Sequence, residues 1–141
     1  MRESFMPRAL EVSRKALPQC VPNPPVGCVL VANNKIVAEG FTQPIGGSHA
    51  EVEALKQYSG QMSGVTAYVT LEPCSFVGRT PACAETLVKS GIEQVVVAML
   101  DPDSRNNGRG IKILEQAGLT VHVGVCSEQV RSFLNPYLGK S

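Results

Sequence analysis

The sequence predicts an α/β fold, a three-layer α/β/α domain around a mixed five-stranded sheet, and three observations carry that expectation. Apolar runs of strand length alternate with amphipathic stretches of helix length from about residue 49 onward. Ahead of them, two apolar runs flank Asn33-Asn34, side chains that tolerate the left-handed backbone of a two-residue hairpin turn. The predicted helices end next to glycine, the residue suited to a left-handed cap.

In chain order, residues 4 to about 17 carry Phe5, Ala9, Val12 and Ala16 at helical spacing, and Pro18 with the 22–25 proline stretch ends that helix in a stiff loop. The segments 26–32 and 35–41 form the hairpin. A helix over about 49–59 is expected to stop near Gly60, followed by a strand over 65–71. A helix over about 81–90 ending at Gly91 leads to a strand over 93–99. A helix over about 110–117 ending at Gly118 leads to a strand over 119–125, and a last helix starts near Ser127. Strand–helix–strand units imply right-handed crossovers between parallel strands, here joined to an antiparallel hairpin. No internal repeat, linker or charge run divides the 141 residues, so a single domain over 1–141 is expected.

Composition narrows the function classes. Hydrophobic residues make up 43% and charged residues 18%, which excludes a disordered or fibrous chain. Thirteen basic against twelve acidic side chains give a net charge of +1, so nucleic acid is a disfavoured partner and any anion site must be local. The longest apolar runs fall far short of a membrane span and the amino-terminal residues lack a signal-peptide pattern, so a cytoplasmic protein without a membrane partner is expected. Five cysteines, an odd number, favour metal binding or buried thiols over a disulfide framework.

The chemistry concentrates in Ser48-His49-Ala50-Glu51 and in Glu72-Pro73-Cys74 with Pro81-Ala82-Cys83. One histidine and two thiolates are preferred zinc ligands, and three protein ligands leave a fourth tetrahedral position for water, as in catalytic sites. Both segments follow strands and open helices, which brings them to the carboxyl edge of an α/β sheet. Thr80 as cap and Pro81 at the first helical position would set Cys83 in the first turn, where backbone N–H groups favour a thiolate. Glu51, two residues beyond His49, can move protons without ligating the metal, and H-x-E followed by P-C…C is the pattern of zinc nucleobase deaminases.

Each piece has a plainer reading. Ser48-x-x-Glu51 is also a capping box, and that role competes for the same carboxylate. Taken singly, His49 reads as an ordinary polar or core histidine and the two cysteines as buried thiols; their order and their places at strand-to-helix junctions favour zinc. His122 reads as a sheet residue and Cys28 and Cys126 as core; Cys20 has no reading. Arg79, between the two cysteine ligands, and Arg109, in Asn107-Gly108-Arg109-Gly110, are each either solvated loop charges or anion contacts.

These residues resemble the deaminase domain of the bifunctional riboflavin-biosynthesis pyrimidine deaminase/reductase, a branch of the cytidine deaminase superfamily. The likeness runs through PNPPVGCVLV at 22–31, HAEVEAL at 49–55, TLEPCSFVGRTPAC at 70–83, VVVAMLDPD at 95–103, GRG at 108–110 and QAGLTVHVGV at 116–125. The eight residues between Cys74 and Cys83 are its most specific part, because tRNA and cytidine deaminases usually place two there. The resemblance implies a cytidine-deaminase-like fold, one zinc per chain held by His49, Cys74 and Cys83, Glu51 as proton shuttle, and Asn23, Arg79 and Asp101 as contacts to base, ribose or phosphate. It implies hydrolytic removal of an amino group from a diaminopyrimidinone ribosylamine 5′-phosphate with release of ammonia, and a homo-oligomer. No reductase half is expected within these 141 residues. The chain departs from the family at Thr42 and Phe76, where histidine is common, and at Asp103-Ser104, where Asn-Pro is common. All three positions are expected to lie around the substrate. Another amino-heterocycle, nucleoside or nucleotide is therefore the alternative substrate, with a tRNA base or a non-catalytic metal-bound module further away.

Overall fold

The structure, a computed structural model, describes residues 5–75 and 82–138. It contains helix α1 (Met6–Ser13), continued by a 3₁₀ turn over Arg14–Ala16, then strands β1 (Gly27–Ala32) and β2 (Lys35–Phe41). Helix α2 (Ala50–Lys56), β3 (Val65–Val69), α3 (Cys83–Ser90), β4 (Gln94–Val97), α4 (Arg109–Gln116), β5 (Thr120–Val123) and α5 (Ser127–Leu134) follow. The five strands form one sheet in the order β2-β1-β3-β4-β5. β1 is antiparallel to both of its neighbours, while β3, β4 and β5 are parallel.

This topology fixes where the site must be. β1 opposes both β2 and β3, so its amino end lies at the same sheet edge as the carboxyl ends of β2, β3, β4 and β5. The proline loop ahead of β1 therefore joins the segments that follow β2, β3 and β4. Their loops converge there because a carboxyl edge is where successive crossover helices diverge and leave a crevice.

Strand alternation divides the core in two. Cys28, Leu30, Ala67, Val69, Val95 and Val97 face α2, α3 and α4, whose Ala54, Leu87 and Leu114 close that layer. Val29, Val31, Tyr68 and Val96 face the opposite side, where Met6, Ala9 and Val12 of α1 and Val130 and Leu134 of α5 pack. Alternating strands with a helix layer on each face make the expected three-layer sandwich. Gly40 sets the spacing on the first face: a Cβ there would stand 2.3 Å from the Ala50 carbonyl oxygen and 2.4 Å from the Ala54 amide nitrogen. Only a glycine lets α2 lie this close to β2.

Several local expectations are met. Asn33 and Asn34 take φ of 51° and 64° in the hairpin turn. Gly91 caps α3 in the left-handed region at φ 87°, and Gly118 follows α4 at φ 93°. His122 pairs with Val96 across the sheet, as a strand residue should. Gly60 differs. α2 ends at Lys56, because the Gln57 and Tyr58 amides bond the Ala54 and Leu55 carbonyls in a tightened last turn. The capping box is also absent: His49, not Ser48, is the N-cap of α2, no side chain caps it, and the Ser48 hydroxyl accepts a bond from Lys56. α3 begins at Cys83 with Ala82 as N-cap; Thr80 and Pro81, expected to start it, lie outside the described residues. Among the described residues no helix is long and apolar enough to cross a membrane.

Candidate metal centre and active site

His49 is the last extended residue before α2, with φ −77° and ψ 169°, and Glu51 sits in the first turn of that helix. Cys74 lies in the loop after β3, and Cys83 opens α3. Two strand-to-helix junctions at one sheet edge, β2 to α2 and β3 to α3, therefore bring the predicted ligands together. His49 Nδ1 is 2.9 Å from Cys83 Sγ and 3.8 Å from Cys74 Sγ, and the three donor atoms all lie within 4.8 Å of one another. Around a tetrahedral zinc with bonds of about 2.0–2.3 Å, ligand atoms stand roughly 3.5–3.8 Å apart, so a small adjustment accommodates the ion. One imidazole nitrogen and two sulfurs are a donor set that suits zinc.

The electrostatics of the cluster agree with its chemistry. The Cys83 backbone amide donates to Cys74 Sγ at 3.1 Å. The Cys74 thiol is lowered to about 4, chiefly by the hydrogen bond from the Cys83 side chain, with His49 and that backbone amide adding to the effect against burial. Cys83 is raised in turn by its bond to the Cys74 sulfur, by burial and by the nearby Glu51 charge. The pair thus shares one proton, and His49 is raised mainly by its own bond to Cys74. Glu51 is 4% exposed. Burial raises its carboxyl to about 7, opposed by its own backbone amide and the bond to Cys83, and assisted by the Cys74 charge. A carboxyl near neutrality can both take and return a proton at physiological pH.

His49, Glu51 and Cys74 line a cavity of about 430 Å³. Its other walls come from the loops around β1, β2 and β4 and include Asn23, Thr42 and Asp101, three residues that the resemblance had placed at the substrate. Asn23 is exposed in the proline loop. Cys20, which had no reading from sequence, is buried there and its thiol donates to the Asn23 carbonyl at 3.4 Å, closing the turn that presents Asn23. Thr42 is 5% exposed, and its hydroxyl accepts from the Val26 amide at 2.9 Å and donates to the Pro24 carbonyl at 3.2 Å. Its first task is therefore to pin the proline loop. Arg79 and Phe76 lie outside the described residues.

The sequence reading missed two groups in the cavity wall. Arg105 lines it and is held by Asp103 through bonds of 3.1 Å from Nε and 2.7 Å from Nη2, a bidentate pair that lowers the Asp103 carboxyl to about 2. Its signal was the Asp103-x-Arg105 spacing in a loop that begins with a cavity residue. Glu72 lines it as well and is 3% exposed. Arg109, weighed as an anion contact, is exposed on α4.

A three-layer α/β/α domain that gathers an imidazole, two thiols and a buried carboxyl at one sheet edge is a deaminase-type hydrolase fold with a zinc-binding region. The chain belongs to the cytidine and deoxycytidylate deaminase family, whose zinc-binding region matches residues 1–99. It is 46% identical over 134 residues to the riboflavin biosynthesis protein RibD of Chlamydia pneumoniae, covering 95% of this chain and 36% of that protein. It is 43% identical over 129 residues to the diaminohydroxyphosphoribosylamino-pyrimidine deaminase of Buchnera aphidicola from Acyrthosiphon pisum, covering 92% of this chain and 88% of that protein. Among solved structures, Acinetobacter baumannii RibD superposes with a TM-score of 0.92 at 44% identity over 96% of this chain and 38% of that one. The chain thus spans about a third of its RibD relatives and most of the Buchnera protein.

Proposed function

We propose that this chain is a zinc-dependent hydrolytic deaminase of a diaminopyrimidinone ribosylamine 5′-phosphate, acting in riboflavin synthesis through one deaminase unit. The observation that carries the reading is the buried Glu51 carboxyl, raised to about 7, beside the His49, Cys74 and Cys83 donors in the wall of one cavity. Identity of 43% to a Buchnera deaminase of that name, over 88% of its length, supports the substrate class.

His49 Nδ1, Cys74 Sγ and Cys83 Sγ would hold the zinc, which when bound supplies an activated water at neutral pH. Glu51 takes one proton of the attacking water and gives it to the ring nitrogen, then takes the remaining proton from the newly added hydroxyl and gives it to the departing amine, which leaves as ammonia while the oxygen stays as the ring carbonyl. Burial suits it to this work because the uncharged form is not penalised, while local hydrogen bonds and the His49 charge stabilise the charged form enough for it to take a proton. Asn23 and Asp101, from loops on either side of β3, hold the heterocycle and ribose, and Arg79 bonds the phosphate. Thr42 lines the wall beside them, and Phe76 is a further substrate contact in this reading. A reducing, cytoplasmic setting keeps both thiols available as ligands. A homo-oligomer fits edge strand β2, whose Ile36 and Val37 are each 37% exposed.

A second substrate is favoured by two observations. The Thr42 hydroxyl is committed to backbone groups, and Arg105 adds a guanidinium to the cavity wall, so the cavity could accept another amino-heterocycle carrying an anionic group. The test is ammonia release by zinc-loaded protein across a panel: the ribosylaminopyrimidine phosphate, its dephosphorylated form, and cytosine, adenine and guanine nucleotides. The expected result is release fastest from the ribosylaminopyrimidine phosphate. Faster release from any other member assigns the site to that substrate instead.

A further inference from the structure

Glu72 is a buried carboxylate that the proposed chemistry does not use. It lies two residues ahead of Cys74, and its backbone is fixed by the bond from its amide to the Met99 carbonyl at 3.0 Å. Its side chain gathers three backbone N–H groups from one distant segment. Oε1 accepts from the amides of Asp101 and Gly108, both at 3.0 Å, and Oε2 accepts from the amide of Ile111 at 3.1 Å. Asp101 and Gly108 both lie in the loop between β4 and α4, so a single oxygen bridges its 101–108 stretch. Ile111 lies in the first turn of α4, where backbone N–H groups otherwise lack partners and a negative charge is favoured.

The same two segments are tied by two further bonds. The Asn106 side-chain amide donates through Nδ2 to the Pro73 carbonyl at 3.2 Å, and the Ser75 hydroxyl donates to the Arg105 carbonyl at 3.3 Å. Gly110 permits the approach, since a Cβ there would stand 1.9 Å from the Pro73 carbonyl oxygen. Carboxylate, amide and hydroxyl thus lock the Cys74 loop against the loop that carries Asp101 and Arg105. The anion that the Gly108-Arg109-Gly110 motif invites at the start of α4 is this internal carboxylate.

We propose that Glu72 is a positioning residue for substrate binding: through main-chain bonds to residues 101, 108 and 111 it sets the Asp101 wall of the cavity relative to the metal loop. The proposal rests on the deaminase reading above. It adds a specific division of labour. His49 and Cys83 are placed by α2 and α3, and Cys74 is held to the start of α3 by the Ala84 amide on its carbonyl at 3.0 Å and the Cys83 amide on its sulfur at 3.1 Å, so loss of Glu72 should leave the metal bound while the substrate wall moves. Glu72 touches neither the metal donors nor the reacting atoms in this role.

The test compares Glu72→Ala and Glu72→Gln with wild type in zinc content, steady-state kinetics and amide hydrogen exchange. Alanine removes all three bonds. Glutamine retains one carbonyl oxygen, enough for Asp101 and Gly108, but turns an amide N–H₂ toward the Ile111 N–H, donor against donor. The expected result is unchanged zinc content in both, KM raised by about tenfold or more in the alanine variant with kcat within about threefold, and a smaller rise in KM for glutamine. In the glutamine variant the Ile111 amide should exchange faster while Asp101 and Gly108 stay protected. If the alanine variant does not fold, the glutamine variant carries the test alone through its KM and the Ile111 exchange. Unchanged KM in the folded variants, a fall in kcat at constant KM, loss of zinc, or unchanged Ile111 exchange would each overturn the proposal. Wild-type protein that releases no ammonia would instead overturn the deaminase reading on which it rests.

Discussion

Cys74 and Cys83 occupy unequal environments although both are proposed ligands. Cys74 accepts hydrogen bonds from its partner's backbone and side chain and is lowered to about 4, whereas Cys83 is the donor and is raised. A cation entering the site replaces that shared proton, so binding should release protons and weaken as pH falls. Cys74→Ser removes the thiolate that anchors the charge, and a serine hydroxyl does not ionise in this range. Zinc content should drop from about one per chain to well below half, while Cys28→Ala, fully buried in β1 and outside the His49, Cys74 and Cys83 donor group, should keep its zinc and lose stability. Metal analysis of the two purified variants checks this, and full stoichiometry in Cys74→Ser would refute the ligand assignment. Glu51 illustrates what one residue's sequence context conceals. Ser48-x-x-Glu51 fits a capping box, yet the helix starts one residue later and no side chain caps it.

Elements carry the ligands to their places. α2 presents His49 and Glu51 because it lies against β2 at the close distance that Gly40 allows. Gly40→Ala would drive a Cβ into the backbone of Ala50 and Ala54, so α2 must shift; overpacking of this kind typically costs about 1–3 kcal/mol or more. Denaturant unfolding should show that loss, with reduced activity at temperatures where the variant remains folded. Wild-type stability would contradict the close-packing account. The elements themselves were legible: hairpin, alternation and the glycine stops at 91 and 118 follow from side-chain period and backbone permissiveness. Their ends were less so. The end of α2 is set by a tightened turn at Gln57, and β1 shifts register against β2 between Leu30 and Val31; neither leaves a residue pattern.

At the scale of the whole molecule, the direction of β1 is decisive. Antiparallel to both neighbours, it returns the proline loop to the edge where β2, β3 and β4 deliver His49, Cys74 and Asp101. Alternating strands and helices announced an α/β sandwich, but strand order depends on which apolar faces meet. The metal donors and Glu51 were legible because their chemistry lies in short local motifs. Glu72 was not, because its three partners stand 29, 36 and 39 residues away and are backbone groups, which every residue type offers. The sheet, the cavity and the donor cluster together make one claim, that Glu51 moves protons at a zinc site in this cavity. Steady-state ammonia release from the ribosylaminopyrimidine phosphate by wild type and Glu51→Gln, compared at equal zinc content and equal melting temperature, tests it most directly. The account predicts wild-type turnover and a loss of roughly a hundredfold to ten-thousandfold in the glutamine variant with its zinc retained; near-normal turnover by Glu51→Gln would contradict it.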